Sequence, residues 1–264
     1  KTKEGIEMLA IERKNMILSE LREKKRVVVG ELAAKFGVSE ETIRHDLMKL
    51  EHESGVVKTY GGAILNIGVQ SEVPFMERRG VNAAANARIA LLAARMVRDG
   101  VSVFLDASSA SVFIAHALKN KKALTVLTNS VDVLIELSDV SGWRILCTGG
   151  MLKGSGVLVG SRTEEILGAY RGDIAFVSCR GICRDGFFES DEYQASVKRK
   201  MLANSMRKVV AAESGRLGKR AFAGICALSG ADALLLETRP PEPWGEVFSA
   251  AGTKLFYPEE NRTN

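Results

Sequence analysis

The run Val101-Ser102-Val103-Phe104-Leu105-Asp106-Ala107-Ser108-Ser109-Ala110-Ser111 decides how most of this chain is read. A short apolar strand, Val101–Leu105, ends in a carboxylate; small hydroxyl side chains follow, and an apolar helix then runs to Leu118. Unpaired N–H groups at such a helix start, with the Ser108, Ser109 and Ser111 hydroxyls beside Asp106, are the parts of a phosphate cradle. The unit recurs downstream. The strand Leu124–Leu127 feeds Thr128-Asn129-Ser130 and a helix through Val133, Leu134 and Leu137, and the strand Trp143–Cys147 ends in Thr148-Gly149-Gly150. Glycine in that last turn lets backbone approach a ligand closely. Serine caps many helices for structural reasons alone, so each loop says little by itself. Three in succession at the strand ends of an open α/β sheet point to one crevice and an anionic ligand.

The alternation continues toward the C-terminus. It predicts a helix near Thr163–Leu167, a strand at Ile174–Val177, a long helix over Asp191–Arg207, and strands at Lys208–Ala212, Ala233–Leu236 and Thr253–Phe256. A helix through Ile89, Leu92, Ala93 and Met96 precedes the first strand. Short β runs joined by helical crossovers build a parallel sheet covered on both faces. The fold class is therefore α/β, a doubly wound, mostly parallel sheet over residues 81–264. Lys198 on the long helix and Arg216 in the loop Ser214–Lys219 can neutralise a phosphate or fix a sugar hydroxyl. The run Lys198-Arg199-Lys200 reads equally well as a solvated basic face.

Upstream the period is that of short helices. Ile11, Ile17, Leu18 and Leu21 mark one apolar face, with Glu12, Arg13, Lys14 and Glu20 on the outer side. Glu31–Phe36 makes a second helix, closed by Gly37 where a C-cap is expected. Ser39 then offers an N-cap, Glu40 and Glu41 place negative charge in the first turn, and Ile43, Leu47 and Leu50 form a buried stripe. Two short helices on a tight turn are the mark of a helix-turn-helix, and Gly55–Ala63 reads as a β-hairpin wing. A helix exposing Thr42, Arg44, His45 and Lys49 can enter the DNA major groove, Arg44 at guanine edges or phosphate and the others at phosphates or base edges. Ser39 at the helix start, and Lys58 and Tyr60 on the wing, complete the expected DNA-binding set. The domains expected are a winged helix-turn-helix over 1–65, a linker over 66–80, and an effector-binding and oligomerisation domain over 81–264.

Composition narrows the classes. The 264 residues carry a net charge of +5, yet residues 1–60 account for only +1 of it, so charge alone does not single out a nucleic-acid module. No apolar run approaches the roughly 20 residues of a membrane span, and no secretory signal is visible, so a cytoplasmic protein is expected. Four cysteines are too few for a disulfide scaffold. Cys179 and Cys183 have no histidine near them in sequence, so neither a structural metal nor a cofactor is expected.

The stretch Glu31-Leu32-Ala33 with Phe36-Gly37-Val38-Ser39-Glu40-Glu41-Thr42-Ile43-Arg44-His45-Asp46-Leu47 and Tyr60-Gly61-Gly62-Ala63 is similar to the winged-helix signature of the DeoR-type bacterial transcriptional regulators. The likeness extends through Val103–Asp106, Thr128–Ser130, Gly149-Gly150, Asp173–Phe176, Val197–Arg199 and Ala212–Ser214. It implies an effector domain related in fold to ribose-5-phosphate isomerase, a phosphorylated sugar or related metabolite in the crevice, and double-stranded operator DNA as the partner of a homo-oligomer, dimer or tetramer. The sequence departs from the family pattern at His45 (usually Arg), Ser108 (Gly), Ala110 (Thr), Gln194 (Glu) and Arg216 (Lys). The resemblance makes the protein a regulator, a repressor of a carbohydrate operon, and not an enzyme. The alternatives are a sugar-phosphate isomerase, which needs a carboxylate base that Gln194 cannot supply, and a protein-interaction adaptor that leaves Arg44 and His45 as ordinary surface.

Overall fold

The computed structural model describes residues 10–24, 26–53, 56–59, 61–65, 82–154 and 156–258. The chain divides into two units, 1–73 and 74–264. The 66–80 connector lies outside the described residues.

In the first unit, α1 (Ala10–Lys24), α2 (Val29–Phe36) and α3 (Glu40–Glu53) close over Ile17, Leu21, Leu32, Ile43, Leu47 and Leu50. Gly37 adopts the left-handed conformation (φ +66°) and donates its N–H to the Ala33 carbonyl, which turns the chain from α2 toward α3. The wing is larger than a hairpin. β2 (Val56–Thr59) and β3 (Gly62–Leu65) pair as expected, and β1 (Arg26–Val28) adds a third antiparallel strand, Val27 opposite Ala63. Arg13 does not lie on the outer face of α1. It is buried, and its Nε donates to Asp46 Oδ2 at 2.6 Å, tying α1 to the middle of α3.

The second unit runs α4 (Ala83–Met96), β4 (Ser102–Leu105), α5 (Ser109–Leu118), β5 (Thr125–Thr128), α6 (Val131–Glu136), β6 (Arg144–Cys147), β7 (Met151–Lys153), β8 (Val157–Val159), α7 (Ser161–Ala169), β9 (Gly172–Val177), β10 (Gly181–Cys183), β11 (Gly186–Glu189), α8 (Glu192–Ala203), β12 (Ser205–Ala211), β13 (Ala223–Cys226), β14 (Ala233–Leu235), α9 (Trp244–Ala251) and β15 (Lys254–Phe256). Seven strands form one parallel sheet in the order β15-β14-β12-β9-β4-β5-β6. The chain starts in the middle at β4, winds outward through β5 and β6, then returns to β9 and winds the other way. The switch point therefore falls between β4 and β9.

Burial on both faces explains the near-continuous apolar strands. Phe104, Leu127, Ala175, Val177, Val210 and Leu234 pack with Leu167 of α7, Met201 of α8 and Phe248 of α9. Their neighbours Val103, Leu105, Val126, Phe176 and Val209 pack with Ile89 of α4, Ile114 of α5 and Val133 of α6. Each such buried Phe, Leu, Ile or Val contributes about 1.5–3 kcal/mol relative to exposure.

Two expectations are corrected. The helix expected over Asp191–Arg207 ends at Ala203, because β12 already pairs with β9 at Ser205, opposite Gly172. The sheet is also not the whole story: a β7–β8 hairpin and a three-stranded antiparallel sheet, β10-β11-β13, are added beside it. Their strands are three or four residues long, too short to show a period.

Candidate functional site

In the first unit, Ser39 Oγ accepts the Thr42 N–H (3.2 Å) and also lies 2.9 Å from Thr42 Oγ1, capping α3. The cap and the Arg13–Asp46 pair hold α3 by its two sides, while Arg44, His45 and Lys49 face solvent, as does Lys58 on β2. Arg44 is not idle: its guanidinium reaches Glu40 at 2.5 Å and Glu41 at 3.3 Å, both in the first turn. Tyr60 lies outside the described residues.

In the second unit the crest of the sheet is built around Asp106, which is 1% exposed. Its Oδ1 accepts from Ser108 N–H (3.1 Å), Ser108 Oγ (2.5 Å) and Ser111 Oγ (2.6 Å). Its Oδ2 accepts the Ser178 N–H at 2.8 Å, so one carboxylate fastens the end of β4 to the end of β9 across the switch point. Ser108 Oγ caps α5 by accepting the Ser111 N–H (3.2 Å). The first two donors of that helix, the N–H groups of Ser109 and Ala110, have no acceptor among the described residues. The Ser108 and Ser111 hydroxyls are thus turned inward to Asp106. Ser109 is partly exposed, while Ala110 is buried.

Lys198 is not a solvated residue of a basic run. It is buried, with Nζ 3.4 Å from Asp106 Oδ2 and hydrogen-bonded to Glu189 Oε2. Glu189 is buried too; its Oε1 accepts from the Ser190 N–H (2.8 Å) and Oγ (3.1 Å), and Arg180 Nε lies 3.7 Å away. Burial works against both charges, but their mutual attraction prevails. Lys198 is held above the ordinary lysine value by Glu189 and Asp106, and Glu189 below the ordinary carboxyl value by Lys198. Cys179, within reach of their charges, is buried, and burial pushes its thiol up to about 12 against the pull of Lys198 and Arg216. It is a neutral thiol and no nucleophile.

The two neighbouring loops are more structural. Thr128 Oγ1 accepts the Ser130 N–H (3.1 Å), and Ser130 Oγ accepts the Val133 N–H (3.2 Å), so both hydroxyls are engaged in capping α6. Asn129, one residue past the Leu105–Thr128 register, donates Nδ2 to the Leu158 carbonyl of β8 (2.8 Å) and leaves Oδ1 as the buried side-chain atom without a partner among the described residues. Gly150 has φ +114°, and a Cβ there would lie 2.1 Å from Thr163 Oγ1. Thr163 Oγ1 in turn donates to the Gly149 carbonyl at 2.7 Å, so it is Gly150 that makes room for α7. Lys153 of β7 pairs with Asp191, the N-cap of α8, and lies 4.7 Å over the Tyr193 ring. Arg216 is half-buried in its loop, 3.8 Å from Glu213. Among the described residues no group of three His, Cys, Asp or Glu side chains is placed to hold a metal, and no helix is long and apolar enough to cross a membrane.

Sequence reasoning missed Glu189, Ser178 and Asp46. Glu189 stands alone after Gly186-Phe187-Phe188 with no local signal beyond an acid closing an apolar run. Ser178 acts through its backbone, which leaves no trace in residue type.

Known proteins place these two units. Residues 13–67 match the DeoR-like helix-turn-helix domain and residues 81–238 the DeoR C terminal sensor domain. An uncharacterized HTH-type transcriptional regulator of Bacillus subtilis, YulB, is 35% identical over 88% of this chain and 90% of its own. The HTH-type transcriptional repressor GlcR of Bacillus subtilis is 32% identical over 95% and 97%. The glycerol-3-phosphate regulon repressor of Escherichia coli is 28% identical over 89% and 93%. A solved ribose 5-phosphate isomerase A of Methanocaldococcus jannaschii aligns with 53% of this chain and 56% of its own at 15% identity, with a TM-score of 0.39 too low to argue from.

Proposed function

The chain belongs to the DeoR family of transcriptional regulators, and from that premise we propose that it represses a carbohydrate operon and is released from operator DNA by a phosphorylated sugar held at the crest of its parallel sheet. The observation that carries the reading is the start of α5 at the switch point, where Asp106 is saturated by Ser108, Ser111 and Ser178 while the Ser109 and Ala110 N–H groups have no acceptor among the described residues. Those two donors, at the positive end of a helix dipole, suit a phosphate. Arg216 supplies positive charge beside it, Lys198 offsets part of the charge of the buried carboxylates behind it, and Asn129 and Gly149 bound the crest next door. A relative named for a glycerol-3-phosphate regulon supports a phosphorylated polyol as the ligand class.

At the other unit, Thr42, Arg44, His45 and Lys49 read or grip the duplex from the exposed side of α3, with Ser39 at its start and Lys58 and Tyr60 on the wing. The protein works in the cytoplasm, where operator DNA is, and as a homo-oligomer matching a two-fold operator. Binding without turnover is favoured by the site's chemistry. Asp106 is fully engaged by donors, Gln194 is an amide, and Cys179 is a neutral thiol, so none of these three is a free base.

The test is a fluorescence-anisotropy titration of the full chain on the DNA upstream of its own operon, with and without a panel of sugar phosphates. Sequence-selective binding weakened by one of them is expected. Equal affinity for operator and unrelated DNA at moderate salt would sink the reading.

A further inference from the structure

Two guanidiniums flank the crest and donate no hydrogen bond among the described residues. Arg180 stands two residues beyond Ser178, its side chain 43% exposed, and approaches only Glu189, at 3.7 Å. Glu189 is already engaged by Lys198 and Ser190. Arg216, 29% exposed, approaches only Glu213, at 3.8 Å, and Glu213 already accepts from Asn82 Nδ2 at 2.8 Å. The segments carrying them run side by side: Ile182 bridges Leu217 in parallel, and the Gly218 N–H donates to the Ile182 carbonyl at 2.9 Å. The other arginines tied down in this unit differ, Arg171 donating to Asn204 and Arg199 to the Gly224 carbonyl.

We propose that Arg180 and Arg216 form a second anion subsite, so that the ligand is a sugar derivative with two acidic ends, a phosphate at the start of α5 and a carboxylate or second phosphate at the guanidinium pair. This rests on the reading that α5 holds a phosphate. A planar fork of N–H donors that comes no nearer than 3.7 Å to a carboxylate of the described residues fits a planar or tetrahedral oxyanion better than a lone hydroxyl, which accepts from one donor at a time. Arg180 stems from the strand end that reaches the foot of α5. Ser178 touches Asp106 at the foot of α5, and the two residues from Ser178 to Arg180 span at most about 7 Å of chain. Lys198 offsets one of the two buried carboxylates, Asp106 and Glu189, and Arg180 lies 3.7 Å from the second.

Calorimetric titration of the full chain with glucose 6-phosphate, 6-phosphogluconate, fructose 1,6-bisphosphate and inorganic phosphate tests it. At least one of the two doubly acidic compounds binds about tenfold or more tighter than glucose 6-phosphate, and which of them leads tells a carboxylate subsite from a phosphate one. In Arg180→Gln that preference collapses toward parity while glucose 6-phosphate affinity stays within about twofold, and in Arg216→Gln, which also faces the α5 phosphate, the doubly acidic ligand loses the larger factor. Glucose 6-phosphate binding as well as or better than both acids overturns the inference and leaves the phosphate reading standing. So does a variant that weakens all the ligands equally. Binding by none of the four overturns both.

Discussion

Arg44 in the first unit and Lys198 in the second each sit between two carboxylates. Arg44 is 53% exposed and meets Glu40 and Glu41, themselves 53% and 84% exposed. Lys198 is 5% exposed and meets Glu189 and Asp106, at 2% and 1%. Water screens the first cluster, so its pairs contribute at most about 1 kcal/mol and can be exchanged for a phosphate or a base edge. The second cluster has no water to fall back on, and removing one member strands the others as buried charge. The same arithmetic of one cation and two anions thus yields a hand that can be offered to a partner in one unit and a fixed joint in the other.

The comparison breaks most easily at the joint. Lys198→Met should destabilise the second unit by about 3–5 kcal/mol in urea melts, and Lys198→Met combined with Glu189→Leu should recover part of the loss. A loss under about 1 kcal/mol would put Lys198 in the exposed class with Arg44.

A smaller effect is the acid limb. Glu189 titrates below its ordinary value of 4.5 when folded, so its stabilisation is complete above that value and drains as pH falls toward the depressed one. Lys198 titrates above 10.5, so its share is present below that value and is lost only as pH rises through the raised one. Urea midpoints for the second unit should therefore be flat across neutral pH and fall in acid, and Glu189→Gln should flatten the acid limb. A first-unit variant, Glu40→Gln, should leave it unchanged.

The smallest effect on stability and the most specific on function is at Arg44. Arg44→Ala should alter folding by no more than about 0.5 kcal/mol while weakening operator binding by about 1–3 kcal/mol if it meets a guanine. If it meets a phosphate instead, affinity for all sequences should drop together and the salt slope should fall by about 1. Unchanged operator affinity would return α3 to ordinary surface.

Much of this was legible in the chain. Val103, Leu105 and Phe104 alternate between two cores as a strand covered on both faces must, and Ile43, Leu47 and Leu50 keep one side of α3 inward. Asp106 and Ser108 announced a strand-to-helix loop, although the Ser108 and Ser111 hydroxyls turned out to serve Asp106 and the helix cap. Arg13 and Lys198 were illegible as buried residues. A long basic side chain in a charged run looks solvated until its partner, Asp46 or Glu189, is placed beside it from another element.

Local pattern alone determined the strands of the parallel sheet and the helices that cover it, because burial on one or both faces imposes a period that residue types must obey. It also determined which loops close on small polar residues. Strand order, the position of the switch point between β4 and β9, and the meeting of Asp106, Ser178, Glu189 and Lys198 were decided by the tertiary structure. Those contacts join residues up to 92 positions apart, Asp106 to Lys198, and charge pairing across such a distance leaves no periodic mark on either stretch of chain.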